Sequence, residues 1–173
     1  MPALRALRAA RPDITVALVT WAETAPVVDR MSAWIDELID FPGHPGIPER
    51  APTGALPSFL AWMRKRRFDL AVQAYGDNPA ANEVTAAIGA RITSGFQPTR
   101  GPRRDPATHL PYPHQVHEIH RHLQLVAHLG VLTVGMSDAL EWPLTDADRR
   151  GAARLRAAYD LRPGHYVVVH PGA

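Results

Sequence analysis

Short runs of apolar and β-branched residues alternate with helical patterns along most of the chain. The runs have the length and composition of β-strands, and an uninterrupted apolar run is typical of a strand buried on both faces. Segment 35–41 instead alternates apolar with acidic residues, which also fits a strand. The predicted strands are residues 14–20, 35–41, 69–75, 91–96, 139–144 and 166–169.

The intervening segments carry the spacing and the end signals of α-helices, such as Pro2 in a first turn, Thr24 and Thr145 as caps and Gly130 after a last turn. The predicted helices are residues 2–10, 24–31, 56–67, 82–89, 117–129 and 145–161. This alternation predicts an α/β fold with a Rossmann-like, mostly parallel sheet and flanking helices. Because such a fold normally starts with a strand and gives its last strand neighbours, we expect a domain that is incomplete at both ends.

Composition narrows the class of protein. The 173 residues are 46% hydrophobic and 21% charged, with 19 Lys and Arg against 17 Asp and Glu, which is typical of a globular chain. Basic residues are dense only at 64–67 and 100–104, which argues against nucleic-acid binding. Absence of Cys excludes disulfides and thiolate catalysis. No apolar run approaches the roughly 20 residues of a membrane span. We expect a cytoplasmic protein, with peripheral contact at the inner membrane left open.

Three loops follow predicted strands, at the sheet edge where α/β proteins bind ligands. They are 21–24 with Trp21 and Glu23, 76–78 with Gly76, Asp77 and Asn78, and 170–173 with His170, Gly172 and Ala173. Turn chemistry alone explains the composition of any one loop, whereas three on one edge favour a shared cleft. Asp77 is a candidate general base there, and a turn or helix cap is the alternative.

Histidines are concentrated around the predicted helix 117–129. His114, His117 and His120 are spaced by three, so His117 and His120 could share a metal on one helix face. A zinc site needs a third ligand, and the alternative is a solvated face. We favour a third interpretation, in which His117, Glu118 and Arg121 direct polar groups into a cleft; we predict no metal and no cofactor. The sequence has no G-x-S-x-G, Walker A or G-x-G-x-x-G motif.

Several segments match a known family in order and spacing. They are 2–7 with 11–16, 34–38, 67–71, 89–91 with 95–96, 117–118 leading to 129–130, and the closing 168–173. In these segments the chain resembles glycosyltransferase family 9, the heptosyltransferases. The resemblance implies the two-domain GT-B fold, with 1–164 as an incomplete acceptor-side domain and 165–173 as the start of the donor-side domain.

The resemblance also implies a division of roles among residues. The acceptor would contact Trp21, Glu23, Gly76, Asp77, Asn78, His117, Glu118 and Arg121, and the donor would contact His170, Gly172 and Ala173. In the family a carboxylate deprotonates the acceptor hydroxyl, and this Asp follows the first strand. The resemblance places that strand upstream of Met1, so no catalytic residue is predicted in this sequence.

The function that the resemblance implies is sugar transfer with inversion, in a parent protein of which this chain would be a fragment. The partners would be an ADP-heptose-like donor and a lipopolysaccharide core or other glycan or glycolipid acceptor. We expect the fragment alone to be inactive. Two alternatives stay open, a non-catalytic α/β module that binds sugar or glycolipid, and a decayed pseudogene product of poor solubility.

Overall fold

The structure is a computed structural model that describes residues 1–49, 51–100 and 104–169. The chain forms two compact units, Met1–Glu141 and Trp142–Ala173. The predicted boundary after residue 164, between an acceptor side and a donor side, stays a prediction. None of the helices within the described residues is long and apolar enough to cross a membrane.

The first unit is an α/β structure with parallel strands and flanking helices, as the alternating pattern predicts, but its strands form two small sheets instead of the single sheet expected. The strands are β1 (Ala17–Thr20), β2 (Glu37–Asp40), β3 (Leu70–Gln73), β4 (Ile92–Gln97) and β5 (His109–Pro111). One sheet pairs β1 with β2, and the other has the order β3-β4-β5. Every one of these pairings is parallel. The carboxyl ends of β3, β4 and β5 therefore share one edge, where the candidate site lies.

The helices match the predicted ones closely, because local end signals define them. They are α1 (Pro2–Ala10), α2 (Ala25–Val28), α3 (Leu56–Arg66), α4 (Pro79–Ala87), α5 (Glu118–His128) and α6 (Asp146–Ala158). Short 3-10 turns at Ala22–Thr24 and Asp29–Met31 flank α2, so the predicted helix 24–31 is only partly α-helical. Thr145 and Asp148 form a capping box that satisfies backbone N–H groups at the start of α6.

The predicted strands at 139–144 and 166–169 are wrong, since neither segment pairs with another strand. Val167, Val168 and Val169 are 86%, 81% and 76% exposed. A β-branched composition favours a strand only where a neighbouring edge and an apolar face are available. The described part of the second unit contains α6 and no strand, so it offers no such edge.

Two hydrophobic clusters cover one side of both sheets. In the first, Met63 of α3 packs with Ile39 of β2 and Ala71 of β3, and Ala17 and Val19 of β1 contact the same cluster. The second surrounds Phe41 and Ile47 with Ala81 and Val84 of α4. A third cluster joins α1 to α5 through Ala6 and Val126. Helices α3 and α4 therefore pack against strands of both sheets, although β1 and β3 do not pair with each other.

Candidate functional site at the β3–β5 sheet edge

Polar side chains gather where β3 and β5 end and where α5 begins. The loop after β3 carries Asp77, the loop after β5 carries His114, and the first turn of α5 carries Glu118 and Arg121. The two strands are parallel to β4, so their following loops lie at the same edge. We call Asp77, Tyr112, His114, Glu118 and Arg121 the edge cluster.

Asp77 and His114 lie close to each other across the two loops, and both are half-exposed. His114 Nε2 lies 3.5 Å from Asp77 Oδ2, and the two side chains are 50% and 44% exposed. The His114 ring packs edge-on against Tyr112 with centroids 5.0 Å apart. Both groups face solvent and can exchange their mutual contact for hydrogen bonds to a polar ligand.

Arg121 is the fixed cation of the edge cluster. Its guanidinium donates to the carbonyl oxygens of Pro113 at 3.2 Å and Val116 at 2.7 Å. It also contacts the Glu118 carboxylate and the Tyr112 hydroxyl, and it lies 4.3 Å from the centre of the Tyr112 ring. With its side chain only 11% exposed, Arg121 holds the loop after β5 in shape through these hydrogen bonds.

His122 connects α5 to the end of β3. Its Nε2 lies 3.1 Å from the carbonyl oxygen of Ala74, and its Nδ1 lies 3.0 Å from the carbonyl oxygen of Glu118. The ring also packs against buried Phe96 with centroids 5.9 Å apart. A neutral imidazole donates from one nitrogen only, so one of these two contacts is a full hydrogen bond in that state.

Tyr75 extends the polar edge on the other side of Asp77. Its hydroxyl donates to the Glu49 carboxylate, and this hydrogen bond raises the pKa of Tyr75 to about 12. The phenol therefore stays protonated over the physiological range and acts as a hydrogen-bond donor rather than as a base.

Three of the predicted residues take structural positions in turns and caps. Asn78 caps α4 by accepting from the N–H of Ala80 at 2.8 Å, and it donates to the carbonyl oxygen of Gly46 at 2.9 Å. His117 caps α5 through Nδ1, which accepts from the N–H of Ile119 at 3.3 Å. Gly76 adopts a φ of +55°, a backbone conformation that favours Gly.

The structure does not bring the first predicted loop into the edge cluster. Trp21 follows β1 in the other sheet and packs against Phe41, with ring centroids 5.3 Å apart. Glu23 lies in the 3-10 turn that follows it. The predicted donor residues His170, Gly172 and Ala173 lie outside the described residues. Of the predicted site, Asp77, Glu118 and Arg121 therefore come together.

A second cleft lies at the carboxyl end of β2 and has a volume of about 380 Å³. It combines a carboxylate, two hydroxyls and an indole that is 43% exposed. Its lining residues are Asp40, Pro42, Thr53, Ala55, Ser58, Phe59 and Trp62. Asp40 lies near the end of the predicted strand 35–41, which is the only sequence signal for it. Ser58 and Trp62 share a helix face at i and i+4, which periodicity alone assigns to packing.

The histidine spacing does not assemble a metal site in the part of the chain that the structure describes, where no group of three or more His, Asp or Glu side chains is placed to bind an ion. The His117 and His120 rings meet edge to face with centroids 6.1 Å apart, but His120 Nε2 is 2.9 Å from Asp138 Oδ2. The hydrogen bond with His120 lowers the pKa of Asp138. His120 and Asp138 thus form a hydrogen-bonded pair rather than half of a ligand set.

Comparison with known proteins adds no relative. The sequence matches no protein-family model and no curated protein, and the fold matches no solved structure. The resemblance to family 9 glycosyltransferases therefore rests on the matching segments described above, and the function of the site is inferred from its own side chains.

Proposed function

We propose that this chain binds a glycan or glycolipid acceptor at the carboxyl edge of its parallel sheets, as the acceptor side of a heptosyltransferase-like glycosyltransferase. The observation that carries the proposal is the edge cluster itself. In open parallel α/β sheets, ligands bind beyond the carboxyl ends of the strands, and the edge cluster gathers charged and hydrogen-bonding side chains at that edge.

The chemistry of the two clefts supports a hydroxyl-rich ligand. Sugars are recognised by carboxylates, imidazoles and amides that hydrogen-bond hydroxyl groups, together with aromatic faces that cover C–H surfaces. Asp77 and His114 beside Tyr112 provide this combination in the edge cluster. Asp40 and Ser58 beside Trp62 provide it in the cleft after β2.

The rest of the proposed reaction follows from the resemblance alone. The donor would be an ADP-activated heptose or related sugar, held by a second domain that begins near His170, Gly172 and Ala173. The general base would be an Asp that the resemblance places before Met1. On this proposal residues 1–173 bind the acceptor and transfer no sugar by themselves.

The acceptor-binding proposal is tested by titrating the protein with a lipopolysaccharide inner-core oligosaccharide, and with glucose as a neutral comparison, under isothermal calorimetry. Asp77→Asn removes the carboxylate charge and His114→Gln removes the imidazole ring, so we expect inner-core affinity to fall roughly tenfold or more. His120→Gln is the matched control, because His120 is in a similarly exposed pair with Asp138 outside the edge cluster. Inner-core affinity that is undetectable, or equal in all four proteins, would refute the proposal.

A non-catalytic sugar-binding module is the second candidate. Asp77 and His114 beside the Tyr112 ring supply hydrogen-bonding groups and an aromatic face, which are what sugar binding without catalysis requires. Both candidates predict that residues 1–173 alone transfer no sugar, so transfer or donor hydrolysis on incubation with ADP-sugar and inner-core acceptor would contradict both of them.

A further inference from the structure

The free edges of β1 and β3 line one slot of about 400 Å³. β1 uses its other edge to pair with β2, and β3 uses its other edge to pair with β4. The slot is bordered by strand residues 17–21 on one side and 70–75 on the other, with Met63 and Phe68 among its apolar lining. Two sheet edges that border one cavity differ from an ordinary exposed edge, which has solvent beyond it.

The two strands that border the slot run in the same direction. Near their starts, Ala17 of β1 and Phe68 ahead of β3 contact the cluster around Met63. Near their ends, Trp21 after β1 contacts the same cluster as Ala81, which lies in the helix that follows β3. The start of β1 thus lies near the start of β3, and the end of β1 lies near the end of β3, so the two sheets have the orientation of one parallel sheet.

The backbone of β1 directs toward the slot the N–H and C=O groups that do not face β2. The carbonyl oxygens of Val16 and Thr20 accept from the N–H groups of Asp36 at 2.9 Å and Phe41 at 2.8 Å, on the side of β2. Because strand residues alternate between edges, the N–H and C=O groups of Ala17 and Val19 point the other way, toward the slot.

The side chains around the slot are those of an interior strand. Leu70 and Val72 of β3 are 40% and 37% exposed, whereas strands of parallel sheets are normally buried on both faces. Gln73 is only 2% exposed, and its Oε1 has no hydrogen-bond partner among the described residues. Apolar exposure next to a buried acceptor without a donor indicates a surface that another chain segment completes.

We propose that the slot binds one extended peptide strand that is not part of these 173 residues, parallel to β1 and β3. The inserted strand would join the two sheets into one, with the order β2-β1-strand-β3-β4-β5. Its chemistry follows from the slot: about five apolar, largely β-branched residues, since a central parallel strand is buried on both faces. This inference does not depend on the sugar-binding proposal.

The experiment adds to the whole chain a synthetic peptide with five Val and Ile residues between terminal Lys residues. Hydrogen exchange measured by mass spectrometry reports on segments 16–20 and 70–75. We expect saturable 1:1 binding and roughly tenfold slower exchange in both segments. The matched peptide has Pro at its central position, which removes one ladder donor and excludes the residue from a central strand, so it should bind at least about tenfold more weakly.

Variants of the chain locate the binding. Val72→Lys places a charge in the slot, and its wild-type side chain is already partly exposed, so folding should survive. Leu132→Lys is the control, because Leu132 is 79% exposed and does not line the slot. We expect Val72→Lys to abolish protection by the peptide and Leu132→Lys to keep it.

Three results would overturn the proposal. One is equal protection by the Val/Ile peptide and the Pro peptide, and another is equal binding by the two Lys variants. The third is a concentration-dependent dimer that already protects segments 16–20 and 70–75 without peptide, which would assign the slot to a second copy through its exposed segment 166–169.

Discussion

Replacement of Gly95 by Ala tests the close contact between β3 and β4. Gly95 stands opposite Gln73 in the parallel register and has a φ of +148°, a conformation that L-residues rarely adopt. A Cβ atom there would lie 2.4 Å from the carbonyl oxygen of Gln73, 2.6 Å from its Cβ and 2.8 Å from its N. These neighbours are backbone or backbone-proximal atoms, so rotation of a side chain cannot relieve the contact.

Two terms set the expected loss of stability. A residue held in a sparsely populated backbone region costs about 1–3 kcal/mol, and overpacking a rigid interior costs about 1–3 kcal/mol more. We therefore expect Gly95→Ala to lower the free energy of unfolding by about 2–6 kcal/mol. Gly54 has a φ of +79°, and a Cβ atom added there would meet no other atom within 4 Å, so Gly54→Ala keeps only the first term.

Urea denaturation followed by far-UV circular dichroism measures these differences. Gly54→Ala should lose about 1–3 kcal/mol. Gly151→Ala, in the middle of α6 with open space around it, should be neutral or gain about 0.5–1 kcal/mol in helix stability. A Gly95→Ala protein no less stable than Gly54→Ala would refute the reasoning, because the steric term would then be absent.

Other consequences of the structure can be checked with the same assay. Phe96 is fully buried against Tyr112, so Phe96→Ala should cost about 3–5 kcal/mol, whereas a loss below about 1 kcal/mol would show that the site is loosely packed. Burial lowers the pKa of His109, so as pH falls below about 6.5 the unfolded chain binds a proton before the folded chain does, and the free energy of unfolding decreases. His109→Gln should flatten this pH dependence, and an unchanged slope would contradict the prediction. Thr145→Ala removes the cap of α6 and should lower helicity and cost that helix about 1 kcal/mol, with unchanged circular dichroism as the contrary result.

Local signals explain why the helices could be predicted and some strands could not. Caps and turn residues act within a few positions, so Pro2, Thr145 and Gly130 locate helix ends from the sequence alone. Strand pairing depends on residues far along the chain. β5 has only three residues and ends in Pro, a combination that sequence patterns assign to a loop, and it forms because the edge of β4 lies beside it.

One topological rule predicts part of the candidate site from the sequence. Loops after parallel strands meet at one edge, which brought Asp77 near the start of α5. The rule names loops and not partners, so it could not pair Asp77 with His114 or place the Tyr112 ring over Arg121. It also grouped Trp21 with this edge; Trp21 follows β1 of the other sheet and lines the slot together with Tyr75, and it is not part of the edge cluster.

Gln73 connects the slot to the candidate site. Its Nε2 donates to the carbonyl oxygens of Tyr75 at 2.8 Å and Gly76 at 3.2 Å, so the buried side chain holds the loop that carries Asp77. Gln73 also lines the slot, and it stands opposite Gly95 of the neighbouring strand β4. A strand that fills the slot would pack against Gln73, whose hydrogen bonds hold the loop that carries Asp77. If both proposals hold, filling of the slot and ordering of the proposed acceptor edge would therefore be coupled through this side chain.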